Sequence, residues 1–577
     1  MGRREVTILG STVFVAAVLL IYLATLIPLS YDGLWHLFIA KQDTWAGMFN
    51  EQQLVTHPPL YFVLLRLACE FGATLLTYRA VSILAALGGV VLMWGIARKT
   101  TTHPWAPAAA AFAFAVSVPQ VLVTLQLRSY MLCLFFVLWS FYYYLDVIQG
   151  AGGKVRWTTW LGFALPLLLA ILSHYFAAFY LLTCVAAPFF IATINANYRS
   201  RFPKFLGANF VPGLLSLLPI FAVLAYLYFT HMQQFAKRQG YLLQFYFDWT
   251  GSESAPRFFL RTTQNLFNLL SPISISGEHD FFPVVFLLIG VTVAAVFLLH
   301  TRQSDRHMVE GMPMVFALFI LGGFICASFV GVYPYGGHLR HQFLLYPFVL
   351  LAIVAVLDKL VISIRPTATV MLILSLGFFG FGLSSFLQVE RLRNMTLANR
   401  DQEVDVFLAE FPNPHTVFVD QFSSIHFFGR HHNWTWQSHG RVFPQERVLR
   451  YTVRKGETQF DVILDRSWWN FDFASPRLYQ TLSRVFSALG KQAVTVFHLK
   501  QCCVESSEKN EEGQSLRDQI ENLSAKSGIQ LSDVVSNQEY VFAELLWPGM
   551  TRKPVSVTVA LSAGLIPLED QGKSWSP

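Results

Sequence analysis

Apolar runs of about 20 residues follow one another through most of the chain, and they leave few folds open. A helix rising 1.5 Å per residue needs about that length to cross roughly 30 Å of hydrocarbon. Only 13% of the 577 residues are charged and 54% are hydrophobic, whereas a soluble protein carries roughly 25% charged residues. A soluble chain of this length would not wet its surface. The formal charge of +7 is small for such a chain and excludes a nucleic-acid binder. The aromatic content of 15% suits apolar spans flanked by interfacial rings. The chain reads as a polytopic α-helical membrane protein.

Basic clusters set the topology. Thr7–Leu29 follows Arg3 and Arg4, exceeds a signal-peptide core, and reads as a retained helix with a cytoplasmic N-terminus. Clusters at Arg98/Lys99, Lys154/Arg156, Arg199/Arg201/Lys204, Arg302/Arg306 and Lys359/Arg365 then mark the cytoplasmic side. Between them the spans fall near Ala80–Ala97, Trp105–Val121, Tyr130–Ile148, Trp157–Ser173, Phe176–Ile194 and Phe205–Phe229. Phe281–Leu299, Met314–Val330, Phe343–Val356 and Ala368–Leu387 complete the set, for a total of about eleven. Pro58–Cys69 is too short to cross and reads as an interfacial helix in the first outer loop. The odd count places the tail outside the cytoplasm. This gives a transmembrane domain over residues 1–389 and an extracytoplasmic α/β domain over 390–577.

That tail is polar. Strand-like runs at Thr416–Val419, Asp461–Leu464 and Ala493–Phe497 alternate with helix-length stretches at Asp401–Phe411 and Pro476–Leu489. Glu505–Lys526 reads as loosely ordered, and Val555–Ile566 as a short apolar run packed on the domain or the membrane surface. Six cysteines make no disulfide framework. Cys69, Cys133, Cys184 and Cys326 read as small buried hydrophobes, and the adjacent Cys502 and Cys503 have no assigned role.

Nearly every polar cluster of the membrane half falls on the outer side. The first loop opens with Tyr31-Asp32-Gly33-Leu34-Trp35-His36 and ends in His57-Pro58-Pro59-Leu60-Tyr61. Later loops hold Gln126-Leu127-Arg128-Ser129-Tyr130, then His174-Tyr175, then Tyr333 to His341 with His338 and Arg340. Each residue has a structural reading of its own. Asp32 suits a helix N-cap, Arg128 and Arg340 suit interfacial snorkelling, and the histidines suit ordinary interface positions. His57-Pro58-Pro59 also suits a helix start. Their common side and depth favour one outer cavity, because ionisable groups at membrane depth are costly unless paired or functional.

These residues resemble bacterial GT-C superfamily glycosyltransferases, in the family 39-like branch of dolichyl-phosphate-mannose-protein mannosyltransferase-like and aminoarabinose-transferase-like enzymes. The shared pattern is an acidic residue after the first helix (Asp32), a His/Lys-Pro-Pro-Leu segment (His57 to Leu60), and a helix opening near Arg79-Ala80-Val81-Ser82 and closing on Arg98-Lys99. Gln126 to Tyr130 resembles the family's Gln-x-x-Arg-x-Tyr segment, one residue shorter. The resemblance covers residues 1–387 and is most specific in the first 150.

The resemblance implies an inverting transfer of a sugar from a polyprenyl-phosphate donor to a lipid, glycan or protein acceptor outside the cytoplasmic membrane. Membrane lipids are then further partners, and nucleic acid is not. Asp32 would be the general base. Arg128, Arg340, His57, His338 and His341 would hold the donor phosphate, with His57 standing where relatives often carry lysine. Trp35, Tyr61, Tyr130, His174 and Tyr175 would line the sugar or lipid path. Two departures stand out. Gly33 follows Asp32 where many relatives have a second acid, leaving Asp43, Glu51 or the His231–Asp280 loop as its possible source. No Asp-x-Asp pair is present in the first loop, so neither a metal nor another cofactor is expected; His426, His431, His432 and His439 read as a solvated loop. A transporter or flippase and a non-catalytic subunit of an envelope polysaccharide machine stay open. The first lacks an internal repeat, and the second fits the missing acid.

Overall fold

The computed structural model describes residues 2–27, 29, 31–53, 55, 57–150, 153–232, 245–249, 254–270, 305–363, 416–443, 447–468, 471, 475–489, 495–497, 530–536, 541–546 and 555–559. Contacts divide the chain into two units, Met1–Pro28 with Phe49–Arg393, and Leu29–Met48 with Asn394–Pro577. In chain order the helices are α1 (Arg3–Leu26), α2 (Tyr31–Ala40), α3 (Trp45–Gln52), α4 (Leu60–Glu70), α5 (Leu75–Thr100), α6 (Ala106–Ala115), α7 (Val118–Leu125) and α8 (Tyr130–Gln149). They continue as α9 (Trp157–Ser173), α10 (Ala177–Ile194), α11 (Ala196–Thr230), α12 (Ala255–Leu270), α13 (Asp305–Phe329), the single turn α14 (Leu339–Gln342) and α15 (Tyr346–Ser363).

Among the described residues, α1, α5, α8, α10, α11 and the Met308–Phe329 part of α13 are long and apolar enough to span a membrane. The pair α6 and α7, bent by 46°, passes the same test only when its two helices are taken together. The chain is a multi-pass membrane protein. The single helix expected at Trp105–Val121 is instead two: Val116 ends α6, and Ser117 precedes α7 with proline in its first turn. The helix expected at Phe343 starts three residues later, since residues 339–345 form α14 and a turn in which Leu345 N–H donates to the Gln342 carbonyl. Pro58–Cys69 contains the short helix α4. Phe281–Leu299, Ala368–Leu387, Asp401–Phe411, Glu505–Lys526, Cys502 and Cys503 lie outside the described residues. Cys133 and Cys184 are buried, but Cys326 is exposed and Cys69 half-buried. An apolar stretch in a membrane protein has lipid-facing positions, so apolar neighbours do not imply burial in protein.

Helix α5 is the hub of the membrane unit, touching α1, α4, α6, α7, α8, α13 and α15. Small residues make this possible. A Cβ at Gly88 would come 2.5 Å from the Phe135 ring on α8, and one at Gly89 would come 3.1 Å from Phe114 on α6. Such positions let helix backbones approach closely in lipid. Near one end of α5 the fully buried Arg79 guanidinium gathers the ends of two helices. Its Nη1 donates to the carbonyls of Ala24 and Ile27, both at 2.6 Å, and its Nε to that of Leu125 at 2.8 Å. These carbonyls close α1 and α7, where helix ends leave oxygens without intrahelical partners and carry partial negative charge. The opposite ends of the helices are held by ion pairs, Lys99–Asp146 and Lys359–Glu310, each at 2.7 Å. There Asp358 also accepts from the backbone of Thr102 and His103.

The tail unit is α/β. Strands β1 (Thr416–Asp420), β2 (Thr435–Arg441), β3 (Val448–Lys455), β4 (Thr458–Asp465) and β5 (Thr495–Phe497) form one sheet in the order β2-β3-β4-β1-β5. Central β1 lies parallel to both β4 and β5, and β2-β3-β4 is an antiparallel meander. Helix α16 (Gln421–Arg430) follows β1, capped by the Asp420 carboxylate on Ser423 N–H at 2.7 Å. Helix α17 (Pro476–Leu489) leads from β4 towards β5. Strands β6 (Gln530–Ser536), β7 (Val541–Leu546) and β8 (Val555–Val559) make a separate antiparallel sheet. Part of the apolar run at Val555 is thus an edge strand. Helix α2 belongs to this unit and packs on α16.

Replacing Arg79 with Met strands three dry carbonyls at about 1–3 kcal/mol each. The variant is expected to show a lowered apparent Tm in detergent micelles; an unchanged transition would show that water replaces the guanidinium.

Candidate functional site

The loops at the α5 N-terminal end of the membrane unit bring most of the sequence-marked cations together. Arg128 lies three residues beyond the Leu125 carbonyl held by Arg79. Its Nη1 stands 3.4 Å from His57 Nε2, and His57 Nδ1 stands 3.4 Å from Ser129 Oγ. A guanidinium only donates. His57 therefore accepts at Nε2, holds its proton on Nδ1 and turns that proton toward Ser129. This makes His57 a neutral ring that orients Arg128. The Gln52 side-chain amide fixes the same loop by donating to the His57 carbonyl at 2.5 Å.

His174 closes the next side. Phe176 N–H donates to its Nδ1 at 3.1 Å, so a neutral His174 carries its proton on Nε2. Its ring stands 4.5 Å from that of Tyr130 and 5.1 Å from that of His57. Arg128, Ser129 and Tyr130 lie at the N-terminal end of α8, and His174 lies just before α10. Both helices thus offer the positive ends of their dipoles here.

The third contribution comes from the segment between α13 and α15. His338 precedes α14, and Arg340 and His341 lie on it. The rings of His338 and His341 are 5.6 Å apart. His341 Nδ1 is sealed from solvent and has no hydrogen-bond partner among the described residues. Burial pushes the His341 imidazole well below its ordinary range, and Arg340, His338, His174 and Arg128 push it further the same way. Both arginines thus act on one ring. Gly336 fixes the segment, with φ at +66° and a position where a Cβ would lie 2.1 Å from the Thr262 carbonyl oxygen on α12. Tyr335 Oη pairs with Thr263 Oγ1 at 2.8 Å on the same helix.

The other marked residues are placed differently. Tyr61 is fully buried on α4, where burial raises its hydroxyl pKa while Arg128 and Arg79 lower it. Its ring stands 6.1 Å from that of Phe62 on the same helix. The Tyr175 hydroxyl is hydrogen-bonded to His231 Nδ1 at the end of α11. Burial lowers the His231 pKa, against the Val55 and Gln52 carbonyls that raise it. Asp32 and Trp35 lie on α2, in the tail unit. Glu51 is buried on α3. Sequence reasoning did not single out Ser129, Gln52 or His231 as partners. A polar residue next to a marked cation was the available signal for Ser129, and nothing comparable existed for His231. Among the described residues, no group of three or more His, Cys, Asp or Glu is gathered as a metal site.

No protein-family model matches the chain, and no curated protein does. Among solved structures it is similar to the oligosaccharyltransferase of Archaeoglobus fulgidus in the apo form, at 10% identity and a TM-score of 0.42 over 74% of this chain. The chain spans 64% of that protein's length. It is also similar to ArnT from Cupriavidus metallidurans in the apo state, at 14% identity and a TM-score of 0.39, covering 73% of this chain and 83% of ArnT. For ArnT bound to undecaprenyl phosphate the identity is 14% and the TM-score 0.38, covering 74% of this chain and 85% of ArnT.

Gly336→Ala tests the placement of the third segment. The methyl group has no space at Thr262 and the backbone stands in the left-handed region, so the loop must shift. Loss of the His338–His341 arrangement is expected, read as increased amide exchange of residues 333–342. Wild-type protection would refute the steric argument.

Proposed function

We propose that the protein is an inverting glycosyltransferase that takes a sugar from a polyprenyl-phosphate carrier and passes it to a lipid, glycan or protein hydroxyl on the outer face of the cytoplasmic membrane. One observation carries the reading: Arg128 is held by His57 Nε2 at 3.4 Å just before the N-terminal end of α8, with the His174 ring 4.5 Å from Tyr130 and 5.1 Å from His57. Guanidinium groups bind phosphate bidentately, and helix N-terminal ends add their own preference for anions. A lipid phosphate held at the membrane face is the chemistry such a site fits. The resemblance of the sequence to GT-C enzymes supports the same substrate class.

In this reading Asp32 removes the proton of the acceptor hydroxyl as its oxygen attacks the anomeric carbon. The bond from that carbon to the carrier phosphate breaks, its electron pair leaves with the phosphate, and the configuration inverts. Arg128 and Arg340 meet the charge that develops on the leaving oxygen, which is where fixed positive groups lower a barrier. His57 holds Arg128 in place. His174, through Nε2–H, and His341 add neutral donors. The N-terminus is then cytoplasmic and the tail periplasmic or extracellular.

Purified protein in lipid nanodiscs provides the test, with a polyprenyl-phosphate sugar as donor. Asp32→Asn is expected to cut transfer by about 10²–10⁴-fold, the worth of a positioned base, while polyprenyl-phosphate binding persists. Full transfer would remove Asp32 from the mechanism. Arg128→Ala is expected to weaken polyprenyl-phosphate binding by about 10–100-fold, the value of a charge-assisted hydrogen bond; unaltered affinity would move the phosphate elsewhere.

The acid–base behaviour of His341 gives a separate prediction. Its pKa is depressed by burial and by the neighbouring guanidiniums, so the ring is neutral at pH 7. An arriving phosphate favours the imidazolium and raises that pKa. Binding should then take up protons, and affinity should rise as pH falls toward the ordinary imidazole range. Calorimetry in buffers of different ionisation enthalpy reads this uptake, which His341→Gln should abolish. Proton release on binding would contradict the placement.

A further inference from the structure

We infer that the soluble tail is the positioning element for the candidate base: it holds α2 and thereby Asp32. The inference rests on the proposed role of Asp32, while the contacts behind it stand within the tail unit alone. Helix α2 is short and begins only a few residues after α1 ends. Its stripe of Leu34, Leu37, Phe38 and Lys41 follows the i, i+3, i+4, i+7 rule for one helical face. The Phe38 ring stands 5.2 Å from Phe428 on α16, 6.3 Å from Trp436 on β2 and 5.5 Å from Tyr451 on β3. Leu34 fills the space at Gly429, where an added Cβ would come 2.6 Å from its Cδ1.

The polar end of the stripe is fixed too. Lys41 Nζ donates to the His432 carbonyl at 2.6 Å and the Trp434 carbonyl at 3.0 Å, and lies 4.1 Å above the Trp436 ring. An ammonium with two carbonyls and an indole face is held in direction as well as place. The Arg466 guanidinium covers Trp35 from the flank at 4.9 Å. At 3.6 residues per turn, Asp32 lies about 160° around the helix from Leu34. The docked face and the acidic face are thus opposite sides of one helix, and Asp32 stays half-exposed. His36 shares the Asp32 side and contacts the Asp32 carbonyl through Nδ1 at 2.7 Å. Helix α2 is in this way a mount, gripped behind and presenting its carboxylate in front.

The grip implies that α2 stays on the tail during turnover. Full-length protein carrying Leu34→Cys and Gly429→Cys tests it. A disulfide needs Cβ atoms about 3.5–4.5 Å apart, which the contact between Gly429 and the Leu34 side chain allows. The pair is expected to cross-link on mild oxidation, and the oxidised protein to retain transfer. Failure to cross-link, or transfer that stops on oxidation and returns on reduction, would overturn the inference.

Loosening the mount gives the second arm. Phe38→Ala and Lys41→Met should lower kcat, with about 10²-fold expected for a displacement near 1 Å. Donor KM and polyprenyl-phosphate affinity should stay unchanged, and Lys41→Arg should recover much of the loss. Unchanged kcat in both variants would overturn the inference, as would a parallel loss of donor affinity. Asp32→Asn separates the two readings: full transfer there defeats the base assignment, whereas the cross-link reports α2 docking regardless.

Discussion

Three carbonyls, from Ala24, Ile27 and Leu125, end on a single buried guanidinium. A cation inside a membrane protein is costly unless its donors are met, and Arg79 meets them with oxygens that two helix ends would otherwise leave dry. The exchange fixes more than α5. Ile27 is where the chain leaves α1 for the first loop, and Leu125 is where it leaves α7 for the segment carrying Arg128. Both stretches of the N-terminal half marked in the sequence therefore start from points tied to one side chain. The positions of His57 and Ser129 around Arg128 depend on that tie.

The histidines illustrate how geometry assigns chemistry that charge counting does not. Three of them, His57, His338 and His341, were candidates for binding phosphate, and His174 for lining the sugar or lipid path. The structure gives His57 an acceptor role toward Arg128 and gives Nδ1 of His174 a backbone donor. Burial and neighbouring guanidiniums keep His341 neutral. Permanent charge in the cluster thus comes from the arginines, and the imidazoles supply orientation and direction-specific donors. Buried neutral donors cost less than additional buried cations would.

Much of this was readable in the sequence where a local rule decides. Span-length apolar runs, the basic clusters between them, helix α17 over Pro476–Leu489 and the buried strands β1 and β4 all follow from composition and periodicity. The break between α6 and α7 carried a signal in Pro119, masked by the apolar residues on both sides. Strands β2 and β3 read poorly, because Thr435–Arg441 is mostly exposed and alternates polar types without an apolar face. At the site, Arg128 and Arg340 were marked by their rarity at membrane depth. The tautomers, the pinned Gly336 and the partnership of Tyr175 with His231 arise from contacts far apart in sequence and leave no local trace. The same holds for α2, whose apolar stripe announces a partner without naming it.

That partner has a temporal consequence. Lys41 and His432 are separated by 391 positions, so the surface that receives α2 does not exist until most of the chain has been synthesised. At roughly 5–20 residues per second, the ribosome leaves the rings of Trp35 and Phe38 uncovered for tens of seconds. During that interval the helices around α5 can assemble while the acidic helix waits undocked. Docking of α2 would then be the last event of the chain's biogenesis, and a truncated translation product would be inserted and helical with α2 still uncovered.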